Sequence, residues 1–138
     1  MSTFPDHIER ARAISVRAYA PYSRYQVGAT LLTASGGAYD GVNVENASFG
    51  GTICAERMAL GAAVTAEGPS MRLRQVTIHT NSSPPAAPCG LCLQVLAEFC
   101  GTDTRVVCGN HKGEVRIYMF GNLLPQAFHG HEMTPAEP

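Results

Sequence analysis

Two short runs of cysteine constrain this chain more than anything else in it. Cys54 is followed by Glu56 and Arg57, and Pro88 leads into Cys89 and Cys92. Three thiols at these spacings can hold one zinc ion, which prefers four ligands in a tetrahedron. Three ligands leave one corner for water or substrate, and an open corner separates a catalytic zinc from a structural one. Any fold of this chain must therefore bring two distant segments to one point. Glu56, two positions after the first thiol, lies near enough to act as a base without being a ligand. A structural site would need a fourth ligand. Cys100, Cys108, His79, His111, His129 and His131 are the candidates, and none has ligand spacing to the two runs. A redox Cys-x-x-Cys would leave Cys54 and Glu56 unexplained. Cys100 and Cys108 read as small buried apolar residues, and the histidines as surface or packing residues.

The periodicity around these runs predicts alternating elements. Residues 5–19 read as a helix with Pro5 in its first turn. Residues 26–33 and 38–44 read as a hairpin turned at Ser35-Gly36-Gly37. A polar loop then delivers Thr52 as the expected N-cap of a helix over 53–67, which Gly68-Pro69 ends. Residues 73–80 read as a third strand, followed by a proline-stiffened loop and a helix over 89–99. Strands over 105–108 and 115–120 follow, and then the short apolar run Leu123-Leu124-Pro125. The expected product is a single α/β domain over residues 1–138, with parallel pairing where a strand-helix-strand crossover closes. Residues from about 130 are expected to be a loose tail. Both cysteine-bearing helices begin at their thiols, where a helix N-terminus stabilises negative charge.

Composition narrows the function classes. Charged residues make up 15% of the chain, which leaves few for a large solvated surface and favours assembly with other subunits. The formal net charge is −1, with no basic run for a nucleic-acid backbone to meet. No stretch is long enough to cross a membrane, and residues 1–12 carry no export signal. Cysteines without such a signal point to a reducing compartment, the cytoplasm, where thiols bind metal more often than they pair.

Three thiolates around a divalent zinc leave a formal −1, a poor setting for acidifying water. Some positive charge must be returned to the sulfurs. Two helix N-termini supply part, and Arg57 can supply more by folding back to donate hydrogen bonds to them.

Five blocks in order now resemble one family, the small homotetrameric cytidine deaminases. Ala20-Pro21-Tyr22-Ser23-Arg24-Tyr25-Gln26-Val27-Gly28-Ala29 is similar to their opening motif, and Asn43-Val44-Glu45-Asn46-Ala47 to their nucleoside motif. Cys54-Ala55-Glu56-Arg57 and Pro88-Cys89-Gly90-Leu91-Cys92 resemble their zinc motifs. Leu123-Leu124-Pro125-Gln126-Ala127-Phe128 is similar to their C-terminal motif. The resemblance implies a three-layer α/β/α fold, a mixed five-stranded sheet with helices on both faces. It implies that Cys54, Cys89 and Cys92 bind Zn2+ and that Glu56 shuttles protons. It further implies that Asn43 and Glu45 hold the ribose and that Tyr25 and Ala55 meet the substrate. Phe128 would reach in from another subunit of a homotetramer. The chain departs from the family at Tyr25, where phenylalanine is usual, and at Leu91, where alanine is common. It also departs at Leu93, where the family has arginine, which leaves more of the charge compensation to Arg57.

The function this implies is hydrolytic deamination of cytidine and deoxycytidine to uridine and deoxyuridine, with release of ammonia, in pyrimidine salvage. Deaminases of antibiotic cytosine nucleosides of the blasticidin type are similar around the zinc but differ at the nucleoside motif. A polynucleotide editor would need the basic surface this chain lacks, and a non-catalytic zinc domain would have no use for Glu56.

Overall fold

The computed structural model describes residues 4–133. Five strands form one sheet in the order β2-β1-β3-β4-β5. They are β1 (Gly28–Thr33), β2 (Ala38–Val42), β3 (Leu73–Thr80), β4 (Cys100–Asn110) and β5 (Val115–Met119). The pairing is antiparallel except between β3 and β4, which run parallel. That parallel pair is joined by a helix, as a strand-helix-strand crossover requires. The helices are α1 (Phe4–Ser15), α2 (Ala55–Glu67), α3 (Gly90–Ala97) and a single turn, α4 (Phe120–Leu123).

Side chains of one sheet row show which helix covers which face. Gly28 pairs with His79, and His79 with Gly109. A Cβ on Gly28 would meet α1 at the Ala11 carbonyl, and one on Gly109 would meet Ile8. The next row, Gly41, Ala29, Ile78 and Cys108, points the other way. There a Cβ on Gly41 would lie 2.3 Å from the Ala59 nitrogen and 2.5 Å from the Ala55 carbonyl oxygen of α2. Helices therefore cover both faces, and the mixed five-stranded sheet is as expected. The stripe α2 turns to the sheet is Ala55, Ala59 and Ala63, all fully buried. Small residues there and a glycine in β2 let helix and sheet backbones approach closely.

Several boundaries differ from the sequence reading, each for a tertiary reason. Helix α1 stops at Ser15 rather than residue 19. The Ser15 hydroxyl donates to the Arg12 carbonyl at 2.7 Å, and Tyr19 leaves to form a bridge with Val44. Val44 in turn bridges Ile53, so β2 ends at Val42 and the chain continues as paired but irregular structure. Thr52 is not the cap of α2; Cys54 is, and Cys89 caps α3. Strand β4 starts at Cys100, earlier than its polar Gly-Thr-Asp-Thr run suggests. The Thr104 hydroxyl there serves the Gly101 amide and the Leu73 carbonyl. Residues 130–133 of the expected loose tail form a 3-10 turn, and the rest of that tail lies outside the described residues.

Gly41→Ala should push α2 off β2 and destabilise the fold by about 2 kcal/mol, the usual scale of overpacking. Chemical denaturation checks this; an unchanged midpoint would show that α2 does not need the close approach.

Candidate active site

The Tyr19–Val44–Ile53 bridges fasten three segments side by side at the N-terminal end of α2. The site grows from that junction. Cys54 is the last extended residue before α2, with φ −74° and ψ 156°. Cys89 plays the same part for α3, and its sulfur accepts the Cys92 N–H at 3.5 Å. Cys92 sits in the first turn of α3, fully buried. The three sulfurs lie within 4.8 Å of one another. Thiolates on a tetrahedral zinc at ~2.3 Å would stand ~3.8 Å apart, so the donor set fits that ion with little movement. Among the described residues no other group of histidine, cysteine, aspartate or glutamate converges this way.

The thiols feel the two helix ends differently. Burial alone would push Cys89 up, but the backbone N–H groups of Cys92 and Leu91 and the Cys92 thiol outweigh it and hold it below its ordinary value. Cys92 is pushed up, first by burial and then by the Glu56 charge. Arg57 folds back as expected. Its Nη2 donates to the Cys54 sulfur at 3.7 Å and to the Thr52 carbonyl at 3.2 Å. Its pKa is raised, chiefly through the bond to Cys54. Its Nε is buried with no partner among the described residues. An orphaned donor on a guanidinium that already reaches the Cys54 sulfur fits a cluster that carries negative charge when loaded. Leu93 stands in the apolar core and offers the sulfurs nothing polar.

Glu56 is 5% exposed, and burial pushes its carboxyl up against smaller downward pulls from its own backbone amide, Cys92 and Arg57. It lines a cavity of about 290 Å³ together with Tyr25, Asn43, Glu45, Cys54, Ala55 and Cys89. Small-molecule sites span about 300–1,000 Å³, so this hollow is at the low end. Phe128 does not line it and is 51% exposed.

Asn43 and Glu45 reach the cavity with part of their hydrogen-bonding capacity already used. The Asn43 carbonyl oxygen accepts the Val27 N–H at 2.8 Å, and its amide donates to the Tyr25 carbonyl at 2.8 Å. Glu45 accepts the Ser23 hydroxyl, and the N–H groups of Tyr22 at 3.0 Å and Ser23 at 3.1 Å. The Ser23 hydroxyl bond, then its N–H bond, hold the Glu45 carboxyl below its usual range. Ser23 was not singled out from sequence, because only the fold places it against Glu45. Thr80, Ala86 and Ala87 also line the cavity without having been singled out. Cys100 and Cys108 take no part in the thiol cluster, and burial pushes each to about 12.

A buried carboxylate beside an open thiol cage defines the class: a hydrolase that works through a metal ion on an α/β scaffold. A family model, the cytidine and deoxycytidylate deaminase zinc-binding region, matches residues 1–110. The cytidine deaminase of Halalkalibacterium halodurans is 45% identical over 117 residues, 85% of this chain and 87% of that one. That of Sporosarcina psychrophila is 38% identical over 129 residues, 94% and 93% of the two chains. The crystal structure of cytidine deaminase from Burkholderia pseudomallei superposes with a TM-score of 0.86 at 43% identity. It covers 92% of this chain and 100% of that one. The chain belongs to the cytidine and deoxycytidylate deaminase zinc-binding family.

Ser23→Ala should raise the Glu45 pKa. A depressed carboxyl favours the folded turn above its unfolded pKa and loses that contribution as pH falls through the lower folded value. The carboxyl carbon-13 signal of Glu45 should therefore titrate at higher pH in the variant than in the parent. Coincident titrations would remove the hydroxyl as the cause.

Proposed function

We propose that the protein hydrolytically deaminates the free nucleosides cytidine and deoxycytidine to uridine and deoxyuridine, releasing ammonia. The observation that carries this reading is Glu56. It is buried, lines the cavity beside the three thiols, and burial raises its pKa above the ordinary carboxylate value. The matching relatives are named cytidine deaminases over nearly their full length.

Cys54, Cys89 and Cys92 would hold the zinc ion, which when bound acidifies water near neutral pH. Glu56 takes one proton of the attacking water and passes it to N3 of the pyrimidine, then takes the proton of the new C4 hydroxyl and gives it to the amine, which leaves as ammonia while the C4 carbonyl forms. The carboxylate can alternate these roles because burial keeps its protonated form within reach. Arg57 offsets the negative charge of the sulfurs and keeps Cys54 in place. Asn43 donates to and Glu45 accepts from the ribose hydroxyls with the capacity their turn leaves over. Tyr25 and Ala55 wall the base.

Phe128 stands outside the cavity in its own chain and is half exposed, which favours completion by a neighbouring copy. The working unit in this reading is a homotetramer, in which closed symmetry lets each subunit give and receive the same ring. Exposed Phe49, Tyr22 and Phe128 supply apolar surface for such contacts. The proposed setting is pyrimidine salvage in the cytoplasm. Among the described residues no helix is long and apolar enough to cross a membrane.

Glu56→Gln should retain the fold and one zinc per chain but lose at least about 100-fold in ammonia release from cytidine. A variant keeping a tenth of parental turnover would remove Glu56 from proton transfer. A panel of free cytosine nucleosides in the same assay separates ordinary from antibiotic substrates.

Mixing Glu56→Gln with Phe128→Ala after dissociation and reassembly should restore part of the activity. Some pockets would then draw intact Glu56 and Phe128 from different chains. No recovery despite verified exchange would mean that each chain builds its own site.

A further inference from the structure

Gln94 lies in α3, two residues after Cys92, and its side chain spans to the far end of the sequence. Its Nε2 donates to the Phe128 carbonyl at 2.7 Å, and the Phe128 N–H donates back to its Oε1 at 3.2 Å. One amide thus makes with Phe128 the reciprocal pair that two strands make with each other. Residues 127–129 belong to no helix or strand, so regular structure supplies neither of these bonds. Leu123, Leu124 and Ala127 anchor the approach by packing on the core. The Phe128 ring, by contrast, is 51% exposed.

A fixed backbone under a free ring is a costly arrangement for a residue with no task. A half-buried glutamine gives up rotamer freedom to make it. It does save cost for a residue that must meet a partner, because a ring already ordered loses less entropy on contact. The anchor is also specific in place. Gln94 rides on the same helix as Cys92, so the ring is referenced to the metal end of α3 rather than to a surface loop.

We propose that Gln94 is a positioning residue for the nucleoside pocket: it holds Phe128 in the orientation in which the ring is presented to a neighbouring subunit. This rests on the reading that Phe128 closes a pocket, and the experiment separates the two.

The variants are Gln94→Met, which keeps the length and removes both bonds, Gln94→Glu, which keeps only the acceptor, and Phe128→Ala. Each is purified with zinc, its metal content measured, and KM and kcat for cytidine determined. Gln94→Met should raise KM about tenfold, the effect of losing two ordinary hydrogen bonds. Zinc content should equal the parent's and kcat should stay within about twofold. Gln94→Glu should raise KM less. The double variant Gln94→Met/Phe128→Ala should match Phe128→Ala alone, because a ring that is absent needs no holder. An unchanged KM in Gln94→Met, a fall in its zinc content, or additive losses in the double variant would overturn the proposal while leaving Phe128 its role. An unchanged KM in Phe128→Ala would instead remove Phe128 from the pocket, and the clamp would have nothing to present.

Discussion

The close seating of α2 on β2 is the constraint from which the site follows. Gly41 leaves room where any side chain would strike the α2 backbone. Ala55, Ala59 and Ala63 present the smallest possible face in return. This contact fixes the height of the α2 N-terminus above the sheet, and with it Cys54 and Glu56. Leu93 and Leu96 do the same for α3 from within the core, and so set Cys92. The three sulfurs converge where two helices are held by apolar packing.

The second organising device is the turn from Tyr22 to Val27. Asn43 and Glu45 hold it with side chains rather than with a ladder, since the strand has ended by then. The same two residues face the cavity. An amide has two donors and an acceptor with two lone pairs, and a carboxylate has about four acceptor positions. Each can therefore fasten the wall and still address a ligand. Such double use also explains why rigid placement is available there: the groups that would meet a sugar are already locked by the backbone they support.

Much of this was legible in the sequence, and the exceptions have a common cause. Strand β3 and the end of α2 at Gly68 follow from local pattern and turn chemistry, so their reading agrees with the structure. The thiol cluster was legible because metal ligation demands residue types that have few other uses together. Helix α1 was read too long because Ala18 continues a helical stripe, while the bridge between Tyr19 and Val44 that ends it is a tertiary contact. The sequence pattern favours Thr52, the better capping residue, as the cap of α2, although the chain turns at Cys54. Ser23 and Gln94 are not legible in the sequence, for the same reason as one another. Their partners, Glu45 and Phe128, are distant in sequence, and neither a serine in a turn nor a glutamine on a helix announces such a partner.

The departure at position 93 acquires a physical meaning once the core is seen. Leu93 is 7% exposed and belongs to the apolar cluster that holds α3. A cation at that place would need an escape route toward the sulfurs, and this chain instead invests the position in packing. In the proposed function, compensation of the thiolates falls to Arg57 and to the two helix N-termini. Arg57 is suited to the task because its bond to the Thr52 carbonyl fixes the guanidinium before any charge appears at Cys54. Its Nε, buried and unpartnered, would be expensive beside neutral thiols. Beside a loaded cluster of formal charge −1 the same donor is an asset, because a buried positive group is stabilised by the negative charge it faces. An unpartnered donor on this guanidinium is thus what a site built for charged sulfur should contain.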